Sequence, residues 1–179
     1  MRVPFPSFDT IVEAYHERLS RATPVILDMG NKWYNGANLF AHTLCDIRTD
    51  WSLSTAAGII SALSPRERWE SNKAKALAFA LGQPIRGLGA NIRRAQAVEA
   101  RGLSALTGLK TAAFARAIIG DPNAIVIDTW MLKPIGRKSV TNPQYKLCER
   151  ALAAVAELHL MAPRAAQASI WIVERGSAD

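Results

Sequence analysis

Two cysteines in 179 residues, Cys45 and Cys148, are too few for thiolate chemistry on a metal. A zinc ribbon or an iron–sulfur cluster needs four sulfur ligands, and neither cysteine belongs to a CxxC pair. A disulfide between them is not expected, because nothing marks the chain as secreted. The start, Met1-Arg2-Val3-Pro4-Phe5-Pro6, lacks the apolar stretch of a signal peptide, and no apolar run reaches the roughly eighteen residues of a membrane span. His16, His42 and His159 stand at no metal-ligand spacing, and neither a glycine-rich phosphate loop nor a Ser/His/Asp signature is present. Acidic residues are also in short supply, 15 against 22 Lys+Arg, for a formal charge of +7. That surplus favours an anionic partner, nucleic acid above all, although a basic surface kept for solubility gives the same balance. The chain reads as soluble, intracellular and monomeric, with no cofactor implied.

What is present is helical periodicity. Ser7 suits the cap of a first helix with Ile11, Val12, Tyr15 and Leu19 on one face, ended by Pro24. A second helix is predicted from about Trp33 to Ile47, with Trp33, Ala37, Phe40, Ala41 and Leu44 at helical spacing. Ser52 or Ser54 caps a third, "TAAGIISAL", apolar on nearly every side and therefore buried, which stops at Ser64-Pro65. A fourth runs from roughly Glu67 to Leu81, and "QPIRGLG" is a loop. "ANIRRAQAVEA" is a short helix with Arg93 and Arg94 outward, followed by "GLSALTGL", broken by Gly102 and Gly108. Helices from Lys110, from Asp128, from Pro143 to Leu160 and from Arg164 to Glu174 complete the chain. "AIVI" is the one strand-like run, too little for a sheet. The prediction is an all-α protein of one domain over residues 1–179, without repeats or a linker.

The stretch "LKTAAFARAIIGDPNAIVIDTWM" concentrates the chemistry. A helix from Lys110 to Ile119 advances about 15 Å, "GDPN" turns the chain, and extended Ala124 to Ile127 returns about 13 Å. Asp128 can therefore lie beside Lys110. Asp is also a preferred N-cap, and orphan amides with the helix dipole would hold a fixed negative charge there. Lys110, at the start of its own helix, sits in a field that opposes an ammonium and favours an amine able to attack carbon. Spacing alone also fits a plain helix cap and a solvated lysine or surface ion pair.

Gly108-Leu109-Lys110-Thr111-Ala112 and Ile127-Asp128-Thr129, with the interval between them, resemble the signature of the helix-hairpin-helix-GPD superfamily of DNA base-excision glycosylases, the endonuclease III-like enzymes. Upstream, "SALSPRERWESNKAKA" is similar to that family's early helix, including Asn72, Lys73 and Ala74. The likeness covers roughly residues 56 to 136. It implies a two-lobed helical fold with a central cleft holding Asp128 and Lys110. Asp128 takes the place of the aspartate that stabilises the cationic sugar or activates the nucleophile, and Lys110 that of the Schiff-base lysine of bifunctional members. A carboxylate suits an oxocarbenium-like sugar and an amine suits Schiff-base chemistry. The chain also departs from the pattern. The hairpin that binds phosphate through glycine amides is reduced to "LSALTGLK", with Gly108 alone beside Thr111, Trp130 stands where His is usual, and Arg68 replaces an Asp. These differences point to a divergent branch. The pattern "ALSP", then "W..N", then "GDP…ID" and a final "IW" is also similar to small members carried by phages and actinobacteria, cytoplasmic in a bacterium or a phage-infected host.

The resemblance puts Arg66 and Trp69 on the DNA-facing side of the cleft. Arg66 then contacts phosphate or fills the space of a flipped base, and Trp69 stacks on a base; solvated arginine and core tryptophan are the plainer alternatives. Arg93, Arg94, Lys133, Arg137 and Lys138 are candidates for backbone contacts. The expected activity is cleavage of the N-glycosidic bond of a damaged or modified base, with or without a lyase step, on DNA, single-stranded or modified DNA included. The alternatives are an enzyme of nucleotide or modified-base metabolism on the same fold and a non-catalytic nucleic-acid-binding domain.

Overall fold

Helices begin where a polar side chain or a proline can serve the orphan amides of a first turn. The computed structural model describes residues 4–177, and its described residues form nine α-helices and no strand. The helices are α1 (Phe8–Ser20), α2 (Pro24–Ile47), α3 (Leu53–Leu63), α4 (Trp69–Ala80), α5 (Gly89–Arg101), α6 (Leu109–Ile119), α7 (Thr129–Leu132), α8 (Asn142–Leu158) and α9 (Pro163–Arg175), with a 3₁₀ turn at Gly102–Ala105. Ser7 caps α1 by accepting from the Thr10 amide at 3.2 Å, and Ser52 caps α3 by accepting from Thr55 at 3.1 Å. At α8 the Thr141 and Gln144 side chains form a reciprocal capping box. No described helix is long and apolar enough to cross a membrane.

Two helix starts differ from the sequence reading by more than one residue. Pro24 starts α2 instead of only ending α1, so α2 begins well before Trp33. A first-turn proline gives up an amide that would be orphaned anyway, and the Thr23 hydroxyl accepts from the Ile26 amide at 3.3 Å. In α4 the start moves from Glu67 to Trp69, because Ser64–Glu67 is spent on a turn.

The residues group into two compact units. One holds the chain up to Trp33 and again from Pro122, and the other runs from Tyr34 to Asp121. In the first, α1 packs on α8 and α9, α8 on α9, and α7 on α9. Gly30 allows the start of α2 to meet α9, since a Cβ there would lie 2.1 Å from Ser169 Oγ and 2.9 Å from its backbone nitrogen. In the second unit α3 is central, covered by α4, α5 and α6. Its Ala56 to Leu63 segment is buried on every side, as the apolar run predicts.

Candidate functional site

Asp128 is the N-cap of α7, a helix held to four residues because Pro134 follows. Its Oδ1 accepts from the amides of Trp130 at 2.9 Å and Met131 at 3.1 Å. Its Oδ2 accepts from the indole Nε1–H of Trp171, on α9, at 3.1 Å. The carboxylate is half-buried. The segment that delivers it, Ala124 to Ile127, is buried and belongs to neither helix nor strand. One side chain meets two of its backbone polar groups: the Ile127 amide donates to Tyr145 Oη at 3.1 Å, and that hydroxyl donates to the Ile125 carbonyl at 3.3 Å.

Behind this segment lies a second buried phenol. Tyr15 is fully buried, and its hydroxyl sits beside the Cys148 thiol without a hydrogen bond of ordinary geometry. Burial above all, then Cys148 and the negative charge of Asp128, push its ionisation well above the ordinary tyrosine range. Burial likewise raises the Cys148 thiol. Both groups stay neutral near pH 7. Both cysteines are free.

Lys110 belongs to the other unit. It is the second residue of α6, half-buried, and among the described residues of its own unit it makes no ion pair or side-chain hydrogen bond. No side chain caps α6. Its first turn is anchored by Ser61, whose hydroxyl donates to the Thr111 carbonyl at 2.7 Å. Thr111 is buried and its hydroxyl donates to the Gly108 carbonyl at 3.0 Å. Gly108 has an ordinary φ of −83°, so backbone angle does not require a glycine there; a Cβ would instead press on Thr111 Oγ1 at 3.2 Å.

Arg66, Arg93, Arg94 and Trp69 fall in the same unit as Lys110. Arg66 and Arg93 are exposed, Arg94 is half-buried. Trp69 is half-buried and sits edge-on to Phe40 and Phe114, with ring centroids 6.2 and 6.4 Å away, so it is part of an aromatic cluster. Arg66 carries the most distinctive backbone. The Glu67 amide donates to the Ser64 carbonyl at 3.1 Å across a turn with Pro65 first and Arg66 second, at φ +67°. Glycine or asparagine is usual at that position. The turn is pinned by buried Asn91, whose amide donates to the Pro65 carbonyl at 3.0 Å. Lys75 and the Ser71 hydroxyl, both on Glu67, hold that carboxyl below the usual range and fix the far side of the turn. A left-handed arginine costs about 1–2 kcal/mol, part of which glycine gives back in unfolded-state entropy. Arg66→Gly is therefore expected to stabilise the protein by about 0.5–1 kcal/mol, read as a higher denaturation midpoint at unchanged slope.

Trp171 enters the sequence reading only within the final "IW" of a pattern, without a role, and Tyr145 not at all. Their polar atoms reach Asp128 and the segment that delivers it from far along the chain, and no spacing rule connects them. Among the described residues no group of three or more His, Cys, Asp or Glu side chains could hold a metal ion. A cleft of about 360 Å³ in the second unit is lined by Arg48, Phe79, Ile92, Gln96 and Glu99 among others, and none of the expected site residues lines it.

A family of unknown function, DUF7178, matches residues 7–178. The chain belongs to the DUF7178 family. It matches no curated protein and no solved structure. The match takes in both units, so Asp128, Trp171 and Lys110 all lie within it.

Proposed function

We propose that the protein is a DNA glycosylase-like enzyme of two-lobed helical architecture with a degenerate helix-hairpin-helix, cleaving the N-glycosidic bond of a damaged or modified base. The observation that carries this reading is the Asp128 carboxylate, held by three donors at the end of a segment whose sequence resembles the glycosylase signature. In the proposed reaction the C1′–N bond breaks, its electron pair leaves with the base, and positive charge spreads over C1′ and the ring oxygen. Asp128 stabilises that charge. Water, or the Lys110 amine, adds to C1′ and loses a proton. With the amine, ring opening gives a Schiff base that permits strand cleavage. Arg66, Arg93 and Arg94 supply phosphate contacts, and a base already unpaired or damaged costs least to turn out of its stack.

Base release from oligonucleotides carrying uracil, hypoxanthine, 8-oxoguanine or an alkylated purine tests the glycosylase step. Release from free nucleosides but not from oligonucleotides would move the assignment to nucleotide metabolism. Borohydride reduction on an abasic-site oligonucleotide tests the lyase step. A trapped adduct is expected with the wild type and none with Lys110→Ala, while an adduct that survives Lys110→Ala would take the amine role away from this residue.

A further inference from the structure

An ionised carboxylate offers four acceptor positions, two on each oxygen. At Asp128 the Trp130 and Met131 amides occupy both on Oδ1, and Trp171 occupies one on Oδ2. One acceptor position is left, on Oδ2. We infer that Trp171 is a positioning residue for Asp128, fixing the rotation of the carboxylate so that a single Oδ2 lone pair is presented to the reactant. The inference rests on the reading of Asp128 as the working carboxylate.

The cap bonds alone do not fix the group. They hold Oδ1, and the torsion that carries a carboxylate is intrinsically broad. Trp171 supplies the second point of attachment from a different element, α9, and is itself held on two sides. Its ring lies 5.8 Å from that of Trp33 at 59°, and the Arg175 guanidinium stands 4.7 Å over it. An indole N–H also has the right chemistry for the task, because it donates only. It holds the carboxylate oxygen without competing for a proton, so Asp128 remains free to face a developing cation or to accept a proton from water at the one open position. A geometry fixed in advance is what an electrostatic role needs, since reorientation during the reaction would cost part of the stabilisation.

The test uses the full chain and two variants. In the wild type, a crystal structure at atomic resolution should show the Asp128 carboxylate in one χ2 orientation, and the Trp171 indole N–H should exchange slowly, with a resonance that moves in Asp128→Asn. In Trp171→Phe the carboxylate should spread over more than one χ2 orientation while thermal unfolding remains cooperative. Where base release is found, Trp171→Phe should lower kcat about tenfold or more at unchanged KM. A single retained orientation in Trp171→Phe, an unchanged kcat, or an indole resonance indifferent to Asp128→Asn overturns the inference; the last measurement needs no Trp171 variant to fold. Absence of base release from the wild type would sink the enzymatic reading and leave the orientation and indole results to judge the positioning by themselves.

Discussion

Asp128→Asn should lower base release by about 10²–10³ or more, the scale on which a preorganised electrostatic group acts, while binding of the same oligonucleotide changes little. Asparagine is as good an N-cap as aspartate, so its side-chain oxygen can keep the Trp130 and Met131 amides and the start of α7. What it cannot do is accept from Trp171 at the same time, because its NH₂ then faces the indole N–H, donor against donor. The variant should therefore fold, lose about 1 kcal/mol from the unmade hydrogen bond, and carry no charge to set against a cationic sugar. Single-turnover base release alongside a salt titration of oligonucleotide affinity separates the readings. Retained release would remove Asp128 from the chemistry. Equal binding by wild type and variant with no release from either would leave a nucleic-acid-binding domain.

The helices were legible in sequence because each is announced locally. Ser7, Ser52 and Asp128 precede apolar periodicity and serve as caps in the structure, and Gly120, at φ +120°, ends α6 as its place after the apolar run suggests. The candidate site was legible only in part. Asp128 and Lys110 stand in a patterned segment, but the groups that orient Asp128 come from α8 and α9, where "NPQYK" and "SIWIVE" read as ordinary amphipathic helix. Nothing in a periodicity distinguishes a tyrosine that packs from one that bonds two backbone groups. The Arg66 turn was hidden for a different reason. Ser-Pro signals a boundary, yet a left-handed arginine contradicts local preference and is held by Asn91 on another helix. Strain of this kind, paid for elsewhere in the fold, is a motive to look for function at Arg66.

Tyr145→Phe and Tyr15→Phe remove the same atom from two buried phenols of one unit, and only the first should destabilise the protein. Tyr145 Oη is the partner of the Ile127 amide and of the Ile125 carbonyl, both on residues almost wholly buried in a run that belongs to neither helix nor strand. Removing it leaves a donor and an acceptor with neither protein nor solvent to meet them, at about 1–3 kcal/mol each. The expected loss, about 2–6 kcal/mol, is a large share of the 5–15 kcal/mol typical of a domain. It also loosens the residue directly before Asp128, so any catalytic rate should fall further than oligonucleotide affinity. Tyr15 Oη makes no hydrogen bond of ordinary geometry, and its removal relieves a desolvated hydroxyl while keeping the ring among its contacts. Tyr15→Phe should therefore be neutral or stabilising by up to about 1 kcal/mol. Urea denaturation of the two variants against wild type decides it. Equal destabilisation would mean that ring packing and not the hydroxyl governs both positions, and that the run delivering Asp128 finds its hydrogen bonds elsewhere.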